Sequence, residues 1–413
     1  MKISTLFNIT FALFLLLLAF GVAARRLPPV DLLILVAFFL ATLSTQWFVP
    51  LVCAKFAYFL IKKNKNREAE LVGKFGVFIS KPWDGQFFRG TNLPRHMTPS
   101  MSCNNFVRLA LHNQGKFAEQ QVLDREFLTT IENESGTAEG RGVAKAKLAA
   151  SIHKSGDLVK ALELANEAIN LFSMARLEER PNEVGNEKFM QGREKALGGE
   201  KAHAYFIRAS ILESIHRYDA ALLDREKALK IAQDAFGEES KEATPHMTML
   251  GKVLMKQKQY ERSEEYLLKS LELRLKLLEP DDKLISSSRL SLSALYRECG
   301  QLEKSDSMLG PAMKSAEKTY SGSPGPAMAE YYQTAAFLRQ KQGQKKEAEM
   351  YFKKARETFL KYFPKGHPIF YELNLRMIEF LTDNGKKHDT VELEEENAGI
   401  REKMEAAQGA VKL

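Results

Sequence analysis

The chain has 413 residues, 27% of them charged and 45% hydrophobic, which excludes wholesale disorder and leaves ample apolar side chain for a core. Three cysteines (Cys53, Cys103 and Cys299) exclude a disulfide framework and any CxxC-type zinc site. The net charge of +8 sits at the N-terminus: residues 1–67 carry eight Lys or Arg against the single acid Asp31, and residues 68–413 are within one charge of neutral. That balance gives no electrostatic case for a nucleic-acid partner.

Ile3–Ala24 and Leu32–Ala54 are runs of 22 and 23 residues without a charge. At about 1.5 Å per helical residue, either can cross a hydrocarbon layer of roughly 30 Å. Pro28 and Pro29 break the helix between them. Residues 1–61 therefore read as a transmembrane helical hairpin that contacts the membrane through residues 3–61. As a second reading, Val22, Ala23 and Ala24 suit a signal-peptide cleavage site, which would leave a single membrane helix. Lys62, Lys63, Lys65 and Arg67 come directly after the second run, and the positive-inside bias places them and the C-terminal body in the cytoplasm. The expectation is an integral membrane protein with its repeat region facing the cytoplasm. Residues 62–103, with Gly73, Gly76, Pro82, Gly85, Gly90, Pro94 and Pro99, predict a basic, irregular linker with local strand at Phe75–Ile79.

From residue 104 a short turn followed by a charged, small-residue helix start recurs. Aligned on Phe117, Leu158, Tyr218, Tyr260, Leu302, Lys345 and Lys387, the spacings are 41, 60, 42, 42, 43 and 42 residues. Each unit carries two amphipathic helices around the turn. Small residues recur seven apart on the second helix: Ala161 and Ala168, Ala221 and Ala228, Ser263 and Ser270, Ser305 and Ala312, Ala348 and Ala355. Those positions predict close helix approach.

Tyr218-Asp-Ala-Ala221 with Ala228, and Gly343-Gln-Lys-Lys-Glu-Ala348 with Phe352 and Ala355, resemble the tetratricopeptide repeat family. The 42-residue period is similar to the kinesin-light-chain type, with Tyr260–Arg274 the nearest match. The resemblance implies an all-α solenoid of helix-turn-helix repeats over 104–403, after the two transmembrane helices. Residues 404–413 read as a C-terminal tail. The 60-residue spacing places a loop insertion at about 176–200, where Pro181, Gly185, Gly192, Gly198 and Gly199 suit a solvated loop or a frayed helix extension, with a binding or regulatory loop as the alternative.

No HxH, HExxH, GxxxxGK[ST] or GxSxG pattern occurs, so no catalysis, cofactor or metal is expected. The resemblance directs attention to the face lined by the first helices of each repeat. Family alignment puts His112, His153, Lys154, Lys252, Met255, Lys256, Arg297, Glu298, Gln340 and Lys341 there, a set that leans basic and suits an acidic or C-terminal peptide. The expected function is a membrane-anchored scaffold that binds a protein or peptide partner through this groove. The alternative is an accessory assembly subunit of a membrane enzyme or secretion complex, acting through its membrane helices. The two differ in whether residues 104–413 or the N-terminal segment hold the affinity.

Overall fold

The computed structural model describes residues 52–61, 65–80, 99–133, 137–175, 187–320 and 325–410, and its regular elements there are all helical. They belong to two compact units, Met1–Gln114 and Gly115–Leu413.

The first unit contains α1 (52–61), α2 (Asn66–Ser80) and α3 (Pro99–Asn113). The expected strand at Phe75–Ile79 is instead part of α2. Its aromatic and β-branched composition suits a strand, but its spacing is helical. Ala69, Gly73 and Gly76 share the packed side, where a Cβ on Gly73 would stand 2.6 Å from Val107 Cγ2. Leu71, Phe75 and Phe78 share the exposed side. Gln114 ties the base of α2, its Nε2 donating to Glu70 Oε2 (2.9 Å) and Asn66 O (3.2 Å).

α1 is the end of the second apolar run. Its Ala57, Leu60 and Ile61 are buried against Ala69 and Ala110, so this part of the run packs on protein. The expectation of an integral membrane protein with cytoplasmic repeats is corrected accordingly: no helix among the described residues is long and apolar enough to cross a membrane. The run Ile3–Ala24 and most of the second run, residues 32–51, lie outside the described residues.

The second unit begins with α4 (Phe117–Asn133), followed by α5 (Ala138–Ser155), α6 (Leu158–Met174), α7 (Glu187–Ser214), α8 (Tyr218–Phe236), α9 (Thr244–Lys256) and α10 (Tyr260–Leu277). It continues with α11 (Lys283–Glu298), α12 (Leu302–Tyr320), α13 (Pro326–Lys341), α14 (Lys345–Leu360), α15 (Phe370–Asp383), a 3-10 turn (Lys387–Thr390) and α16 (Val391–Ala410). From α5 onward these are helical hairpins, each packing its second helix on the first helix of the next pair.

The 42-residue period is visible in the backbone hydrogen bonds of the turns. Amides of Arg217, Gln259, Gln301, Gln344 and Lys386 bond to carbonyls five residues back, at Leu212, Leu254, Tyr296, Arg339 and Leu381. The residue before each amide is left-handed, as a Schellman C-cap requires. Gly300, Gly343 and Gly385 adopt that conformation freely, whereas His216 (φ 58°) and Lys258 (φ 61°) do so at a cost of roughly 1 kcal/mol. All ten small residues of the seven-residue pairs are fully buried, at 0% exposure. Where serine replaces alanine its hydroxyl is used: Ser263 Oγ donates to Gly251 O (2.7 Å) and Ser305 Oγ to Ser293 O (2.7 Å).

Two boundaries differ from expectation. Of the insertion at 176–200, residues 187–200 are the start of α7, which runs 28 residues. Gly198 and Gly199 lie where α7 crosses α8, and a Cβ on Gly198 would stand 2.8 Å from Ala235 Cβ. The glycines that suggested a loop are there because two helices touch. The expected tail at 404–413 is largely the end of α16, with Met404 and Ala407 buried.

The last hairpin packs back on the first. α16 lies against α6, and Gln408 Nε2 donates to Ile215 O at the end of α7 (2.6 Å). The Phe117 and Phe363 rings stack with centroids 5.1 Å apart. One apolar cluster consequently includes Ile152, Ile211, Phe352, Phe370 and Ile400, residues far apart in sequence.

Candidate functional site

Because the last hairpins return to the first, the C-terminal ends of α5, α7 and α9 face the N-terminal parts of α13 and α15. Lys154 on α5 senses both Lys252 on α9 and Glu330 on α13. Lys256 of α9 pairs with Glu372 of α15 at 2.5 Å, joining residues 116 positions apart. The His216 ring, at the end of α7, lies 5.3 Å from that of Tyr371 on α15. Arg297 of α11 bonds Glu298 (2.7 Å) and stacks over the Phe337 ring of α13, 5.1 Å away.

The charges on this face are unevenly satisfied. Burial works to raise the Glu372 carboxyl, but Lys256, with Arg297 and Arg376, holds it below the usual carboxylate value. Lys154 is pulled below the ordinary lysine value, first by burial; Glu330 opposes that shift and Lys252 adds to it. Among the described residues neither Lys154 nor Lys252 makes an ion pair or a side-chain hydrogen bond. Two neighbouring ammonium groups, one partly desolvated, thus stand without a counter-charge in contact.

Three histidines flank this place. His153 Nε2 bonds Ser214 Oγ (2.8 Å), and burial, then Lys154, His367 and Arg225, hold the ring neutral. His216 is lowered by burial and Lys256, against Glu372. His367, 6% exposed, packs over the C-terminus of α5 beside Gly156. Its Nδ1 accepts from the Ile369 amide (3.1 Å), and burial followed by Lys154 lowers its pKa to about 4. Lys403 adds to that shift, while the backbones of His153 and Lys154 oppose it.

A neutral buried imidazole binds fewer protons than the same group in the unfolded chain, whose ordinary value is 6.5. Stability is therefore complete above about pH 6.5 and falls as the pH drops toward 4, by up to about 3 kcal/mol for His367. His246, also near 4, adds in the same direction. Thermal melts of the full chain at pH 7.5, 6, 5 and 4 should show a falling midpoint, with a shallower slope for His367→Gln. A midpoint that is flat or rises on acidification contradicts the assignment.

The remaining sequence candidates separate. Gln340, Lys341 and Glu298 lie at or beside the ends of α13 and α11, with Lys341 and Glu298 exposed. Met255 is 8% exposed and packs with Leu267, Leu292 and Tyr296, so it belongs to the core between α9, α10 and α11. His112 lies on α3 in the first unit. Sequence reasoning missed Glu330, Glu372, His367 and Tyr371, which enter this face only because the last hairpins return to the first.

Residues 246–282 match the tetratricopeptide repeat family. The match covers α9, α10 and the turn after them, the stretch in which the repeat pattern is tightest. No curated protein matches the chain. Among solved structures, the chain is similar to a Rap protein complexed with Competence and Sporulation Factor, with TM-score 0.53 and 14% identity over 87% of this chain and 99% of that one. The apo form of RapI gives a TM-score of 0.51 and 12% identity over 73% and 98%. BtubC from P. vanneervenii gives 0.39 and 20% over 60% and 91%. At these identities the likeness to the two Rap structures is one of fold: an all-α, tetratricopeptide-like helical repeat.

Proposed function

We propose that the second unit binds an acidic segment of a protein or peptide partner, with carboxylates received at Lys154 and Lys252. The observation that carries this reading is the pair of neighbouring lysines without a counter-charge on a face where Lys256 and Arg297 are already engaged. A partly desolvated ammonium gains from an arriving carboxylate in proportion to what it lost on burial. The helical-repeat fold supports the same reading, since such arrays recognise partners along stacked helices. One solved structure of similar fold is a complex with Competence and Sporulation Factor. Among the described residues no group of His, Cys, Asp and Glu could hold a metal ion.

The test uses the full chain and two sets of labelled peptides, one rich in Asp and Glu and one rich in Lys and Arg. Anisotropy titrations should show binding of the acidic set only, weakening steeply with salt. Lys154→Glu combined with Lys252→Glu should reduce affinity at least roughly tenfold, the loss of one charge-assisted contact or more. Equal binding of both sets, or an unchanged affinity in a variant that melts like the parent, would overturn the proposal.

A further inference from the structure

We infer that Cys53 and Cys103 are a thiol pair that closes into an intramolecular disulfide, fastening α1 to α3 across Gly76. The two residues are 8% and 0% exposed and, with Ala54, form one packed cluster in the first unit. Both lie against α2 at Gly76. A Cβ built on that glycine would stand 2.5 Å from Cys103 Sγ and 3.0 Å from Cys53 Cβ. Both cysteine side chains therefore converge on the space that any larger residue at 76 would take. The Cβ on Gly76 would also stand 3.5 Å from Cys103 Cβ, so the two cysteine Cβ atoms are no more than about 6.5 Å apart, and a small inward shift of α1 brings them within the roughly 4.5 Å a disulfide needs. Cys299 belongs to the second unit, half-buried on the turn between α11 and α12.

The oxidant is a low-molecular-weight disulfide. One cysteine, as thiolate, attacks a sulfur of the oxidant to give a mixed disulfide and release one small thiol. The other cysteine, as thiolate, then attacks the protein sulfur of that intermediate and releases the second small thiol. Two protein thiols lose two protons and two electrons, and the oxidant becomes two thiols. Burial raises the Cys53 thiol, so little thiolate is present and the exchange is slow, following the opening of α1 rather than collision. The bond would hold α1 on the first unit and raise that unit's resistance to unfolding, because the residues between 53 and 103 become a closed loop.

The experiment incubates the full chain with graded ratios of oxidised to reduced glutathione, followed by non-reducing peptide mapping and thiol counting after denaturation. The expected result is a Cys53–Cys103 cross-linked peptide, two hydrogens lighter than the reduced pair, and a count falling from three thiols to one. The oxidised chain should also melt later by circular dichroism. Cys299→Ser should leave cross-link formation unchanged. Cys53→Ser and Cys103→Ser, small changes that leave the packing nearly intact, should each abolish it. Mixed disulfides with glutathione at both cysteines, disulfide-linked dimers, or three retained thiols after prolonged oxidation would each overturn the inference.

Discussion

Gly251→Val will destabilise the second unit by about 3 kcal/mol, the upper end of what an overpacked helix interface costs. The reason lies in the approach of α9 to α10. A Cβ on Gly251 would stand 2.7 Å from Leu267 Cγ, 2.8 Å from Leu267 Cδ2 and 3.2 Å from the Ser263 carbonyl. Leu267 is itself fully buried and cannot swing away, and the backbone oxygen can move only if α10 moves. Separating the helices would also stretch the Ser263 hydroxyl bond to Gly251 O, at a further cost of about 1 kcal/mol. Ala228→Trp and Ala355→Trp act by the same mechanism at positions of 0% exposure. Chemical denaturation of the full chain measures the loss. Midpoints unchanged in all three variants would refute the packing described for the repeats.

Arg225→Ala should be comparably severe, at about 3 kcal/mol, because it strips a buried cation from a site built around it. Arg225 is 1% exposed. Its Nε donates to Glu213 Oε1 (2.8 Å), its Nη1 to Phe206 O (3.0 Å) and its Nη2 to Ser210 Oγ (2.8 Å). The guanidinium lies 4.3 Å over the Phe206 ring. Truncation leaves a cavity between α7 and α8 and a half-buried Glu213 without its partner. Arg225→Met, apolar and of similar volume, removes the charge without leaving the cavity and should lose less. Equal losses in the two variants would show that cavity and packing are not what the arginine supplies.

The repeat array was legible in the sequence because two of its requirements are local. A hairpin needs a left-handed residue at its turn, which recurs about every 42 residues. Close helix crossing needs a small residue, which recurs seven apart on one face. Both show in the residues alone, and the turns and buried alanines agree with them. Two helical stretches were misread for the opposite reason. Gly73, Gly76, Gly198 and Gly199 signal irregular chain by composition, yet at least Gly73, Gly76 and Gly198 are contact points where a neighbouring helix or side chain leaves no room for a Cβ.

The candidate site was only partly readable. The family resemblance places Lys154 and Lys252 on the groove-lining first helices, but the small rotation between successive repeats decides which distant residues those lysines face. That rotation depends on side-chain packing at every interface and leaves no periodic trace. Glu330, Glu372 and His367 consequently had no sequence signal as neighbours of Lys154, Lys256 and α5. Charged residues were equally ambiguous. Arg208, Arg225 and Arg274 look like solvated positions on amphipathic helices. Arg225 and Arg274 are instead buried, and Arg274 bonds Thr244, Leu284 O and Ser288 with burial lowering its pKa to about 10.

The proposed peptide capture by the second unit depends on Lys154 being a recessed cation without a counter-charge in contact, and its own titration is the most direct measurement. Nuclear magnetic resonance of the full chain with isotopically labelled lysine side chains, assigned by Lys154→Arg, reads the ammonium directly. The structure predicts that Lys154 titrates below 10.5 in the free chain and moves upward when an acidic peptide binds, as an arriving carboxylate favours the charged form. A Lys154 that titrates at or above 10.5 in the free chain, and does not respond to the peptide, would contradict the site.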